Sequence, residues 1–260
     1  MLIKQVLQCN LLQNIKRDLT MLTTKFTRDR RSYNEDNLKV DEVLVPEVLL
    51  SEGNKQRAMQ CMQKIPNFGS KLTRESSQKA AAVLICLCTD EKNEISILYT
   101  RRSGLLTRHV RQISFPGGIK DPDDVDFIDC ALRETEEEIG LPRKRIHVWG
   151  CGSLITPQHT AAIMPVVASV DGFNLKELRL NADEVDEAFL VKIKELVHPI
   201  TLRHTQFKSG WSSPNFLLGQ NRIWGITGFI TNGFLRCLIP MDLKRLKHHM
   251  KYVRPFKHKT

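Results

Sequence analysis

No run of apolar residues in this 260-residue chain approaches the ~20 that a membrane-crossing helix requires, so no span is expected. The seven cysteines, Cys9, Cys61, Cys86, Cys88, Cys130, Cys151 and Cys237, form no CxxC pair and no zinc-type spacing, which argues against zinc modules and dithiol redox motifs. Odd in number and mostly set in apolar runs, they read as reduced thiols packed like small hydrophobes. Aromatic residues make up 7% of the chain and form no interleaved stacking platform for nucleic acid. There is no internal repeat and no low-complexity tract.

Acidic side chains are missing from two stretches, before Asp18 and over residues 200–241. The net charge is +10, yet it belongs to the ends. Residues 1–40 hold 8 Lys/Arg against 4 Asp/Glu and residues 241–260 hold 7 against 1, leaving 24 of each sign between them. A nucleic-acid-binding domain concentrates its charge on a folded surface. Basic ends on a neutral body point instead to targeting, solubility or loose anion association. The acid-free stretch, with Arg203, His204, Lys208, Arg222 and Arg236, would suit a phosphate-bearing ligand.

Leu2, Ile3, Val6, Leu7, Leu11, Leu12 and Ile15 have helical spacing among polar and basic residues. This amphipathic, acid-poor, basic leader resembles a mitochondrial presequence; the alternative is an amphipathic helix on a cytoplasmic protein. Residues 1–45 are read as leader and linker, the linker itself running over 33–50, residues 46–240 as the folded domain and 241–260 as a basic tail. Within the domain, helices are expected over Glu52–Lys64, near Ile128–Ile139, Asp186–Leu196 and Ile226–Leu238, with a break at Pro66–Gly69. Strands are expected over 79–88, 95–103, Ile146–Leu154, Pro165–Val170 and Phe216–Leu218. Interleaved strands and helices predict an α/β class.

The segment "SFPGGIKDPDDVDFIDCALRETEEEIGL", Ser114–Leu141, carries the densest chemistry. Asp124 or Asp126 can cap a helix that Gly140 ends and Pro142 forbids from continuing. At 100° per residue, Glu134, Glu137 and Glu138 share one arc. Ile128, Leu132, Thr135 and Ile139 lie on another, and Glu136 falls away from both. Like charges at such spacing repel, and a hard divalent cation with oxygen ligands turns that repulsion into binding. Gly117 and Gly118 allow the backbone to approach a ligand closely or turn a carbonyl toward a metal.

Gly118, a 14-residue spacer, then Arg133, Glu134, Glu137, Glu138, Gly140 and Leu141 resemble the Nudix box of the Nudix hydrolases. The commonest form of that box has a spacer one residue shorter, with a Glu absent here; the longer form resembles the coenzyme A diphosphatase branch. Upstream, "LYTRRSGLLTRHVRQISFPGG" is similar to that branch's coenzyme A signature at Thr100, Arg102, Ser103, Phe115, Pro116, Gly117 and Gly118. It departs where Tyr99 replaces Leu, Thr107 replaces Arg and Arg111 replaces Gly. "EVDEAF" at Glu184–Phe189 and "RIWGITGFI" at Arg222–Ile230 are similar to segments of the animal mitochondrial members.

The resemblance implies a Nudix α/β/α sandwich with a mixed sheet. It also implies hydrolysis of the diphosphate of coenzyme A or an acyl-coenzyme A with Mg²⁺ or Mn²⁺. Gly118, Glu134, Glu137 and Glu138 would hold the cations. Glu134 would orient or deprotonate water, and Arg133 would position Glu134 through an ion pair. A distant acid is expected at Glu184 or Glu187, with Glu187 taken as the catalytic candidate. Arg101, Arg102, Arg108 and His109 are the substrate-binding candidates, since guanidinium groups bind phosphate strongly. The alternatives are another nucleotide conjugate, such as a dinucleotide or capped RNA, and a noncatalytic scaffold or RNA-binding protein.

Overall fold

The apolar run Ala80–Thr89 becomes the central strand β1 in the computed structural model, which describes residues 40–65, 80–107, 109–157, 161–206, 212–243 and 246. The leader, the Pro66–Gly69 break, Arg108, Lys208 and the tail beyond 246 lie outside the described residues. The chain divides after Val43; residues 40–43 are helical, and the strands lie in the unit Leu44–Thr260. Helices α1 (Pro46–Leu49) and α2 (Glu52–Met62) precede β1. After it come β2 (Ile95–Arg102), β3 (Ile113–Ser114), β4 (Gly117–Ile119), α3 (Phe127–Ile139), β5 (His147–Cys151) and β6 (Ala162–Val170). They are followed by β7 (Val185–Lys192), α4 (Ile193–Leu196), β8 (Leu202–Gln206), β9 (Ser212–Leu218), β10 (Asn221–Ile223) and α5 (Gly225–Leu238).

β1 pairs in parallel with β6 along its length and antiparallel with β2 and β4 on its other edge. β5 extends the sheet beyond β6, and β3 and β7 pair with β2. Seven strands thus form one mixed sheet, and β8–β10 form a separate antiparallel sheet of three. Alternate residues of a strand face opposite sides. Ala82, Leu84, Cys86 and Cys88 pack with Cys130, Ala131 and Ile139 of α3 on one face. On β2, Leu98 joins that core, whereas its neighbour Tyr99 meets Thr231 of α5 through a 3.0 Å hydroxyl hydrogen bond. α5 packs on α2 and β9. The layering is the α/β/α sandwich with mixed sheet that the sequence predicts.

Three expectations are corrected. The segment expected as a helix over Asp186–Leu196 is the strand β7 followed by the single turn α4, because pairing with β2 overrides the weak helical preference of its acidic residues and suits Val185, Phe189, Leu190 and Val191. The linker read over residues 33–50 gives way within the described residues to α1, where Pro46 sits at the helix start and Leu49 is buried. Not all seven cysteines are free: Cys61 of α2 and Cys237 of α5, 176 residues apart, form a disulfide. Packing of α2 on α5 brings them together, which no spacing rule reads. Closing so long a loop stabilises by at most about 5 kcal/mol in the chain-entropy model. Cys61→Ser is therefore expected to lower the unfolding free energy by roughly 2–5 kcal/mol in urea without reductant, and adding dithiothreitol should bring the unsubstituted chain down to the variant's value.

Candidate functional site

The FPGG segment enters the sheet where side chains cannot fit. Gly117 has a φ of 143°, in the region that favours glycine, and a Cβ there would lie 2.2 Å from the carbonyl oxygen of Ala82. At Gly118 the obstacle is functional: a Cβ would lie 2.3 Å from Glu134 Oε2. The second glycine therefore makes room for a carboxylate. Its own carbonyl oxygen faces Cys130 Sγ at 3.8 Å.

α3 brings the carboxylates up to this loop. Asp126 caps it, accepting the Asp129 N–H at 2.8 Å, and Gly140 ends it at φ 69°. Glu134 and Glu138, one turn apart, converge with Glu184, which immediately precedes β7. Carboxylate oxygens of the three lie within 4.8 Å of one another. Glu138 is 4% exposed and accepts the Gly117 N–H at 3.1 Å. Burial pushes its pKa up to about 8; the Gly117 N–H and the Arg102 charge oppose the rise, and Glu134 and Glu184 add to it. Burial likewise raises Glu134, with Arg133 pulling the other way.

Such a set suits a cation. Three carboxylates offer only hard oxygen donors, and burial with mutual repulsion raises the proton affinity of Glu134 and Glu138, which a bound positive charge would oppose. The fit rests on this donor chemistry.

Arg133 ties the cluster to the loop. Its Nη1 lies 3.0 Å from Glu134 Oε1, the expected ion pair, and 2.9 Å from Glu137 Oε2. Its other edge grips Asp124 in a two-bond fork, Nε to Oδ1 at 2.8 Å and Nη2 to Oδ2 at 2.9 Å. The Asp124 side chain is 2% exposed, and the Arg133 guanidinium beside it holds its carboxyl well below the usual carboxylate range, against the opposing effect of burial. Of the two capping candidates, Asp126 caps α3 and Asp124 anchors Arg133. The longer spacer thus supplies an acid within the stretch where the commoner box has its Glu.

Glu137 leans toward Arg133 on the exposed side of α3 and is not part of the three-carboxylate group. Glu136 pairs with Arg143 at 3.3 Å, in keeping with a solvated charge. Glu187 is not brought to the cluster either, since its Oε2 lies 3.1 Å from Arg101 Nε. Arg101 also donates to Asn221 Oδ1 of β10 at 2.6 Å. Glu187 lies within the ladder beside Arg101, whereas Glu184 lies just outside it, before Val185. Arg101 pairs with Glu187 and Arg102 with Val185, so Asp186 is an extra residue at that step, and a bulge re-aims the chain that follows it. Where the strand begins, and so which acid stands free of the ladder, is set by pairing with β2 and not by the local sequence.

Arg102 faces the cluster side, where its charge is felt by Glu138. Its Nε is buried without a hydrogen-bond partner among the described residues. His109 Nδ1 lies 3.0 Å from Gln112 Oε1 in the loop between β2 and β3, and the backbone is left-handed at His109 and Arg111, both at φ 56°. Glycine occupies the Arg111 position in the coenzyme A signature, and the left-handed backbone is a physical reason for it. The Arg111 side chain is 76% exposed and only 4.0 Å from Asp186, a contact of little worth in water. Arg111→Gly is accordingly expected to stabilise the chain by about 0.5–1 kcal/mol, read from the urea midpoint.

A NUDIX domain model matches residues 78–209. The chain is 40% identical over 196 residues to the mitochondrial coenzyme A diphosphatase NUDT8 of Mus musculus, covering 74% of this chain and 90% of that protein. It is 36% identical over 202 residues to the Homo sapiens protein of the same name, covering 76% and 83%. Against Nudix hydrolase 3 of Caenorhabditis elegans the identity is 33% over 182 residues, covering 63% and 75%.

Proposed function

The chain belongs to the Nudix family, and from that premise we propose that it hydrolyses the diphosphate of coenzyme A or an acyl-coenzyme A to 3′,5′-adenosine bisphosphate and the corresponding 4′-phosphopantetheine. The observation that carries the reading is the convergence of Glu134, Glu138 and Glu184 beside the FPGG loop, in a chain similar to relatives named for that activity. Mg²⁺ or Mn²⁺ is the proposed cation, and the mitochondrion the proposed compartment, by likeness to the same relatives.

In this proposal Glu134, Glu138 and Glu184 hold the cation. Glu137 joins from the exposed side, and the Gly118 carbonyl is available beside them. When bound, the cation neutralises diphosphate charge and acidifies water. Glu134 is the proposed base. Burial raises its proton affinity, and the Arg133 guanidinium at 3.0 Å fixes one of its oxygens, leaving the other to take a proton from the attacking water. Of the two acids, Glu184 rather than Glu187 is assigned the role of distant acid. Arg102 binds a substrate phosphate, its buried Nε side and its place near Glu138 supporting the assignment. Arg108 and His109 would extend the contact along the β2–β3 loop, and Arg101 contributes by bracing β2 against Glu187 and Asn221.

The test is incubation of the full chain with coenzyme A and Mn²⁺ or Mg²⁺, with 3′,5′-adenosine bisphosphate followed by chromatography. Metal-dependent release is expected. A folded, cation-binding chain that releases none would refute the substrate assignment and leave another nucleotide conjugate in its place.

A further inference from the structure

We infer that Ser103 is a positioning residue for Glu184, and through it for the cation site; the inference rests on the reading of Glu184 as a cation ligand. Glu184 is the one carboxylate of the three that does not stand on α3. It sits at the end of a turn before β7, and a ligand is only as well placed as the backbone beneath it. The turn is tied at both ends. At its entry the Asn181 N–H donates to the Glu138 carbonyl at 2.9 Å, linking the turn to the helix that carries the other two carboxylates. Asn181 Oδ1 then accepts the Asp183 N–H at 3.2 Å, and its carbonyl accepts the Glu184 N–H at 3.0 Å.

At the exit the Val185 N–H donates to the Asn181 carbonyl at 2.9 Å, and further ties come from Ser103. Ser103 is 1% exposed at the end of β2. Its N–H donates to the Glu184 carbonyl at 2.8 Å, and its hydroxyl donates to the Ala182 carbonyl at 2.9 Å. The same oxygen accepts the Leu105 N–H at 3.3 Å. Ser103 thus grips the carbonyls on either side of Asp183 while closing the first turn of the β2–β3 loop. These ties continue the pairing past the irregularity at Asp186, beyond which only Val185 is still paired with β2, through Arg102. A buried hydroxyl bonded to two backbone groups cannot be deleted without leaving both to find other partners.

Two neighbouring variants separate this role from loop stability. Ser103→Thr keeps the hydroxyl. Asp186→Ala removes the adjacent clasp, in which Asp186 Oδ1 accepts the Gly104 N–H at 3.3 Å and Oδ2 meets Arg111 at 4.0 Å, without touching residues 182–184. Mn²⁺ binding to the full chain is titrated by electron paramagnetic resonance, with circular dichroism confirming that each variant is folded. Ser103→Ala is expected to weaken Mn²⁺ about tenfold, the scale of losing a group that supports a metal ligand, with Ser103→Thr and Asp186→Ala staying near the unsubstituted affinity. Unchanged Mn²⁺ affinity in folded Ser103→Ala would overturn the inference while leaving the cation site standing. Equal weakening by Asp186→Ala, or no rescue by Thr, would reduce Ser103 to a loop-stabilising residue. Absence of Mn²⁺ binding by the unsubstituted chain would remove the cation-site reading and this inference together.

Discussion

Replacing Glu138 by Gln is expected to lower metal-dependent hydrolysis on the order of 10³-fold, the scale of several kcal/mol of lost electrostatic stabilisation, with the fold retained. Gln matches Glu in shape and keeps an acceptor for the Gly117 N–H; only the charge is removed. Glu138 is the most buried of the three carboxylates, so solvent cannot take over its role. Turnover unchanged by the substitution would take α3 out of the chemistry.

The same residue sets a pH dependence. Its folded pKa of about 8 lies above the ordinary carboxylate value of 4.5, so the protonated form is favoured in the metal-free protein. The stability this contributes is full below pH 4.5 and is lost as pH rises through about 8. Metal-free chain is therefore expected to melt at falling temperatures as pH rises toward about 8, and Glu138→Gln should flatten that limb. A cation displaces the proton, so apparent Mn²⁺ affinity should weaken by about tenfold per unit as pH falls below about 8. An affinity independent of pH over that window would show that Glu138 is already ionised without metal.

Asp124→Ala is the second large effect: a loss of about 3–5 kcal/mol of stability, the scale of breaking a buried ion pair from one side. Arg133 is 19% exposed as a side chain and would be left on that edge with the Ile119 carbonyl at 3.3 Å and the more distant Asp121 carboxylate at 3.7 Å in place of a two-bond fork. Asp124→Asn, which retains one acceptor, should lose less. The sign with pH is opposite to that of Glu138. The folded pKa of Asp124 is depressed below the ordinary 3.8, so its stabilisation is present above that value and lost as pH falls toward the folded pKa. Urea titrations at neutral pH and at pH values below 3.8 would show the unsubstituted chain converging on the variant only in the more acidic range. Catalysis should fall as well, roughly 10–100-fold, because Arg133 holds Glu134 from a position that Asp124 fixes. A stability change within the small range of exposed pairs, below about 1 kcal/mol, would mean that Arg133 finds its place without Asp124.

Local rules go a long way in this chain. The helix around Glu134 is legible because cap, periodicity and stop agree at Asp126, Ile139 and Gly140. The central strands are legible from uninterrupted apolar runs. β7 reads wrongly as a helix because its acidic start suits one and only its partner β2 makes it a strand. The short strands β8 and β10 escape notice, since brief polar segments carry little periodicity.

The sequence by itself determined an α/β class and the helical turn that sets Glu134 and Glu138 on one side, because each depends on residues a few positions apart and on fixed helical geometry, and its motifs carried the resemblance that implied the family and its sandwich. Only the tertiary structure decided that Glu184 rather than Glu187 meets them, that Asp124 braces Arg133 while Asp126 caps the helix, and that Gly118 exists to admit the Glu134 carboxylate. It also decided the Cys61–Cys237 disulfide. Each of these turns on where one chain segment lands against another, to within an ångström or a single residue of strand register, and a bulge or a helix packing sets that without leaving a local mark.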